Sequence, residues 1–386
     1  MKSEVVPGSE EKLPVPRTHL AEVDLLRVVG VLLVLLVHTD YWPSQGNGLD
    51  QLVYGNMDLA ARISLPIFVM VSGLVLARTY SGRTRTGEFF GRRLARTAVP
   101  WLFWALFLYV ATQWNGEFSL PPNSHAVEWW LGGPQYLYFL VLLVQLNLLF
   151  AFWPLTRRGS GWLVVICVPL QIALQLLRVL LVLHPGLLRS VLLVHAFEES
   201  PFWLGYFALG VYAGLRLDLL DRLRRYRWLT LALAVVGGVL TATGLLGRIA
   251  ANWAGGWVAG TGAFLRPELL ISSTATALIL WWSAPWVLNH IGSAGRRAVQ
   301  SVSRLAMGIY LIQQLIIWQV GPYLHHVPRP FNLREPLPYS LTPFLILFGV
   351  ALLGSWCLSG LMARWRVTGW VLGMGRMQTS APTLQA

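Results

Sequence analysis

The sequence predicts an all-α, polytopic integral membrane bundle of about ten transmembrane helices, with the N- and C-termini in the cytosol. Two observations set the class and a third sets the orientation. Of 386 residues, 55% are hydrophobic and only 12% charged, with 19 Trp and a mean hydropathy of +0.56. That is far more apolar than the makeup of a soluble domain. Apolar runs of membrane-crossing length recur between charged or Gly/Pro-rich segments. Finally, Lys and Arg divide unevenly between the connections.

The opening stretch, "MKSEVVPGSEEKLPVPRTHLAEV", is polar and Pro-containing. It has no short apolar core followed by a small-residue cleavage site, so it reads as a cytosolic tail, and the first helix is expected to stay in the product. Ten apolar segments follow, near 25–42, 61–79, 98–114, 136–154, 162–183, 201–216, 228–247, 269–286, 305–321 and 342–363. The chain then divides into a cytosolic tail at 1–22, one transmembrane domain at 23–364 and a second cytosolic tail at 365–386. An even number of crossings returns the chain to its starting side.

With this topology, 22 of the 30 Lys and Arg fall in the N-terminal tail, the even-numbered connections and the C-terminal tail. Arg62, Arg189, Arg248, Arg266, Arg329 and Arg334 fall on the other face, and Arg27 and Arg178 lie within spans. Positive charge stays inside, so both termini are cytosolic. The net charge of +13 is thereby assigned to topology and lipid contact, and nucleic acid is excluded as a partner. Cys167 and Cys357 both sit in apolar runs and read as packing residues.

The first apolar run, "DLLRVVGVLLVLLVHTDYW", carries Arg27 near one end and His38 near the other. Eleven residues of α-helix turn through ~1100° and rise ~16 Å, so the two share a face at different depths. Arg27 reads as either a snorkelling anchor or a ligand contact at the cytosolic mouth. An ionisable residue within a span is costly and ordinarily faces a polar interior, which singles out His38. Asp24, three residues before Arg27, either orients the guanidinium or caps the helix.

These residues carry a resemblance. "DLLRVVGVLLVLLVHT" resembles the first-helix signature of the acyltransferase 3 family of membrane-bound O-acyltransferases, an Asp and an Arg followed by an apolar stretch ending in His. "LPIFVMVSGLVLAR" at 65–78, "FFGRRLARTAVPW" at 89–101, "QYLYFLVLLVQLNLLF" at 135–150, "YFALGVYAG" at 206–214 and "SRLAMGIYLIQQLII" at 303–317 are similar to later family motifs, in the family's order. Gln313 stands where the family commonly has His.

The resemblance implies transfer of an acyl group, usually acetyl, from cytosolic acyl-CoA to a hydroxyl of a glycan, a lipid or glycolipid, or an exported small molecule. It implies a multi-pass protein of the bacterial plasma membrane acting in envelope polysaccharide modification. Acyl-CoA, as acetyl-CoA, is then the donor substrate, with no tightly bound cofactor. Its anionic phosphates call for arginines, and among Arg83, Arg85, Arg92, Arg93 and Arg96 we select Arg93 and Arg96 beside the third helix. His38 is the candidate catalytic base. Arg27, Asp24, Arg93, Arg96, Ser72, Tyr136 and Gln313 form the candidate substrate-binding set. Ser72 also reads as a close-packing residue beside Gly73, and Tyr136 and Tyr310 as interfacial or packing aromatics. No metal site is expected: His325 and His326 lack a second ligand pair at useful spacing, and the acidic "FEES" at 197–200 reads as a solvated loop.

The alternative is a proton-coupled transporter or flippase, with His38 relaying protons and the arginines binding an anionic substrate. Transport would be favoured by Gly/Pro-broken helices in matching positions of two halves, and Pro66, Pro100 and Pro169 show no such pairing.

Overall fold

A computed structural model describes residues 20–39, 56–80, 87–115, 137–153, 155–183, 200–244, 266–325 and 341–374. Among these the architecture is all-helical. The helices are α1 (Ala21–Thr39), α2 (Ser64–Tyr80), α3 (Gly87–Asn115), α4 (Tyr138–Ala151), α5 (Arg157–Leu183), α6 (Leu204–Leu215), α7 (Leu217–Leu223), α8 (Arg227–Thr243), α9 (Glu268–His290), α10 (Gly292–His325), α11 (Leu341–Met362) and α12 (Arg366–Val371). The described part of each apolar segment read from the sequence is helical apart from turns at segment ends, with a 3-10 turn at Ser200–Trp203 before α6. Among the described residues, six helices are long and apolar enough to cross a membrane, with shorter apolar helices at Ala95–Val110 and Tyr138–Ala151. The expected sixth span is cut short: α6 has 12 residues, a rise of ~18 Å against the ~30 Å of a hydrocarbon core.

The distribution of polarity is inverted relative to a soluble protein. Asp24, Asn147, Gln171, Gln175, Glu268 and Gln313 are buried, while Leu106, Trp162, Val165, Leu229, Val239 and Leu353 are exposed. Lipid makes such an exterior favourable, since hydrocarbon surroundings reward apolar side chains and leave polar groups to be satisfied internally.

The centre of the bundle is α2, which packs along α6 and also meets α1 and α9; α5 covers the far side of α6, and α10 packs along both α1 and α11. Small residues set the α2–α6 distance. A Cβ at Gly210 would lie 2.0 Å from the Met70 carbonyl oxygen, one at Gly73 2.6 Å from that of Phe207, and one at Gly214 2.5 Å from that of Leu74. Backbone therefore meets backbone, and only glycine permits it. The free amides at the start of α6 are taken up by α5: Gln171 Oε1 accepts from Gly205 N–H at 2.9 Å and Tyr206 N–H at 3.4 Å.

Residues after α11, expected as the start of a tail, fold back onto the bundle. Trp104 Nε1–H on α3 donates to the Val371 carbonyl at 3.2 Å, and Leu372 is fully buried. Gly373 makes the turn with φ +70, a conformation natural to glycine.

Candidate functional site

The site is built along α1, an uninterrupted helix on which Arg27 and His38 keep the ~16 Å separation and common face expected of their spacing. Asp24 lies inside the first turn of α1, after its start at Ala21, so the capping alternative does not hold. Its buried carboxylate accepts a 2.6 Å hydrogen bond from Ser303 Oγ of α10 and lies within Coulombic reach of Arg27.

Around the N-terminal end of α1 the structure gathers a cationic cluster. Arg93 on α3 has Tyr80, Arg96 and Arg27 as its electrostatic neighbours. Burial holds the Arg93 guanidinium below the usual arginine range; Tyr80 opposes this, and the cations of Arg96 and Arg27 reinforce it. Arg93 Nε is buried without a hydrogen-bond partner, whereas Arg96 is exposed. The guanidiniums of Arg27, Arg93 and Arg96 lie near one another, Asp24 faces the first of them, and Arg93 Nε–H is buried without a hydrogen-bond partner. Such a place favours an anion.

At the opposite end of α1, His38 is half-buried, with Arg62 as its charged neighbour. Asp58 fixes Arg62 through contacts of 3.0 Å from Nε and 2.8 Å from Nη2 to Oδ2, and 2.6 Å from Nη2 to Oδ1. The sequence reading missed this pair as part of the site. The available signal was the i, i+4 spacing of an Asp and an Arg immediately before a span.

Between the two ends stands an aromatic waist. Phe68 of α2 packs on Phe139 of α4 with ring centroids 5.8 Å apart, and Phe139 packs on Tyr310 of α10 at 5.7 Å. Gly30 of α1 makes room for it, since a Cβ there would lie 2.9 Å from the Phe68 ring. Ser72 is one turn beyond Phe68 on the same side of α2, and Gly73, rather than Ser72, makes the close approach to α6. Gln313 is one turn beyond Tyr310, 1% exposed, with its Oε1 buried and unpartnered; the Oε1 of adjacent Gln314 is likewise unpartnered. Tyr136 and His326 lie outside the described residues, as does the side chain of His325.

A buried polar stripe on α5 also escaped the sequence reading. Gln171, Gln175 and Arg178 are all buried at i, i+4 and i+7, one face of a helix. Both polar side-chain atoms of Gln175 lack a partner. Among the described residues, no group of three or more His, Cys, Asp or Glu is placed to hold a metal ion.

Comparison with curated proteins and with solved structures returned no match. A family model described as an acyltransferase domain matches residues 20–360. The match runs from the start of α1 nearly to the end of α11 and takes in the cationic cluster, the aromatic waist and His38 alike. The chain is a membrane acyltransferase and belongs to the acyltransferase 3 family.

Proposed function

We propose that the chain is an acyl-CoA-dependent O-acyltransferase of the bacterial plasma membrane, moving an acyl group, acetyl in the simplest case, from cytosolic acyl-CoA to a hydroxyl of a glycan, glycolipid or exported small molecule. The observation that carries this reading is the placement of a cationic cluster and a histidine at opposite ends of one face of α1, ~16 Å apart, with the Phe68–Phe139–Tyr310 waist between them. That span suits an extended pantetheine arm whose phosphates stay at the mouth.

Arg27 and Arg93 hold the donor's phosphates by charge-assisted hydrogen bonds, and Arg96 adds charge at the rim. The arm runs along α1 past Gly30, and the thioester arrives near His38. The neutral imidazole takes the proton of the acceptor hydroxyl as its oxygen attacks the thioester carbonyl. Arg62, positioned by Asp58, supplies positive charge near the developing oxyanion. Collapse breaks the C–S bond, and His38 returns its proton to the departing CoA sulfur. The products are an ester and CoA thiol.

The test is purified protein in lipid with labelled acetyl-CoA, measuring CoA release and bound CoA. His38→Ala is expected to cut turnover ~100- to 10,000-fold while retaining CoA binding. Full transfer by this variant removes His38 from the chemistry, and wild type that neither binds nor consumes acetyl-CoA removes the donor assignment.

A further inference from the structure

On the outside of the bundle, where α5 begins and α6 ends, a groove of about 550 Å³ is lined by Arg158, Gly161, Trp162, Val165, Tyr212 and Arg216. We propose that it binds an anionic glycerophospholipid, with the phosphate held between Arg158 and Arg216 and an acyl chain lying along Val165.

The groove is amphipathic in the direction a lipid requires. Arg158, Trp162 and Val165 follow one another at i, i+4 and i+7, a single stripe rising ~10 Å along α5. Its charged end faces the headgroup level, and its apolar end continues into Val165 and Ile166, 59% and 56% exposed, which lie among hydrocarbon. Trp162, 60% exposed, is amphipathic and suited to the boundary between the two levels. Gly161 leaves the floor of the groove open beside the Tyr212 ring, which a Cβ there would touch at 3.5 Å.

The charge is only partly compensated. Arg216 bonds Asp218 through Nε at 3.2 Å and Nη2 at 3.3 Å, but Arg222 also contacts Asp218 at 3.2 Å. Asp218 thus serves two arginines, Arg158 adds a third cation, and Arg224, Arg225 and Arg227 outnumber Asp221, the other carboxylate of this stretch. A basic recess between membrane helices, open to lipid on one side, selects an anionic headgroup over a zwitterionic one.

The experiment uses full-length protein in neutral detergent, stripped of lipid and titrated with phosphatidylglycerol, with phosphatidylcholine of the same acyl chains, and with glycerol 3-phosphate, read by native mass spectrometry. Phosphatidylglycerol is expected to bind at least about tenfold more tightly than either of the others. The double variant Arg158→Ala/Arg216→Ala is expected to lose about thirtyfold in phosphatidylglycerol affinity. Gly161→Leu, which keeps both charges and fills the groove, is expected to weaken binding at least tenfold. Equal retention of the two lipids overturns the proposal, as does wild-type affinity in the two variants. Preference for glycerol 3-phosphate over phosphatidylglycerol overturns it in favour of a soluble phosphate ligand.

Discussion

Ser303 Oγ donates a 2.6 Å hydrogen bond to Asp24 Oδ1, tying α10 to the first turn of α1 across 279 residues of sequence. The bond fixes the carboxylate that faces Arg27 and hence the cationic cluster. Asp24→Ala and Ser303→Ala are each expected to lower unfolding free energy by about 1–3 kcal/mol, the range for a buried hydrogen bond to a charged group. Asp24→Asn keeps an acceptor for Ser303 but not the charge facing Arg27, so it should retain most of the stability and bind donor less tightly. Undiminished CoA binding in Asp24→Asn would reduce Asp24 to a structural tie.

The two candidate donor arginines are unequal in the structure. Arg93 has a buried Nε–H without a partner and three electrostatic neighbours, whereas Arg96 is exposed. Arg93→Ala is expected to weaken acyl-CoA binding by about 1–3 kcal/mol, and Arg96→Ala by less, because exposed charges are screened. Calorimetric titration of CoA into each variant decides it. Equal losses in both, or none in either, would contradict this ordering.

Gln313 presents a buried carbonyl oxygen with no donor. Leaving such a group unsatisfied costs about 1–3 kcal/mol, so Gln313→Leu, of similar volume, should unfold at the same temperature as wild type or higher. If Gln313 serves packing alone, turnover per folded molecule stays near wild type, and Gln313→His, the residue common in the family, is tolerated. A large loss of turnover in a stable Leu variant would instead make Gln313 a contact for the acceptor hydroxyl.

Two helical glycines give opposite forecasts. At Gly210 a Cβ would meet the Met70 carbonyl at 2.0 Å, while at Gly238 it meets nothing within 4 Å. Gly210→Ala is expected to cost about 3 kcal/mol or more, because backbone on both sides cannot yield. Gly238→Ala is expected to gain up to about 1 kcal/mol from helix propensity. Thermal unfolding of the two in the same detergent provides the comparison. A tolerated Gly210→Ala would mean that α2 and α6 do not sit as close as described.

The helical, membrane-crossing character of the chain was legible because hydrocarbon imposes a length and composition on any helix that crosses it. Helix ends were not. α3 begins at Gly87 rather than 98 and α10 at Gly292 rather than 305, since both continue as polar, basic helix beyond the apolar stretch. Ser303, the partner of Asp24, sits on one of these extensions, so the pairing was invisible to hydropathy. Arg27 and His38 could be placed on one face because they share a helix and the period alone decides it. Arg62 was read only as a charge on the far side, because its approach to His38 depends on how α2 packs against α1. The buried α5 stripe had a sequence signal, polar residues four and three apart within "LQIALQLLR", whose weight appears only once α6 is packed on it.

The glycine-lined contact between α2 and α6 has a mechanical consequence. Two helices touching main chain to main chain, with carbonyls of one seated against the Cα positions of the other, have no side-chain layer to shear, so they move as a single strut. Any breathing that admits a donor or releases an ester must then take place around that strut. The freer partner is α1 with α10 and α11, where side chains such as Phe68 and Ile316 intervene and can re-pack. Crosslinking α2 to α6 should leave turnover intact, while crosslinking α1 to α2 across Gly30 and Phe68 should arrest it.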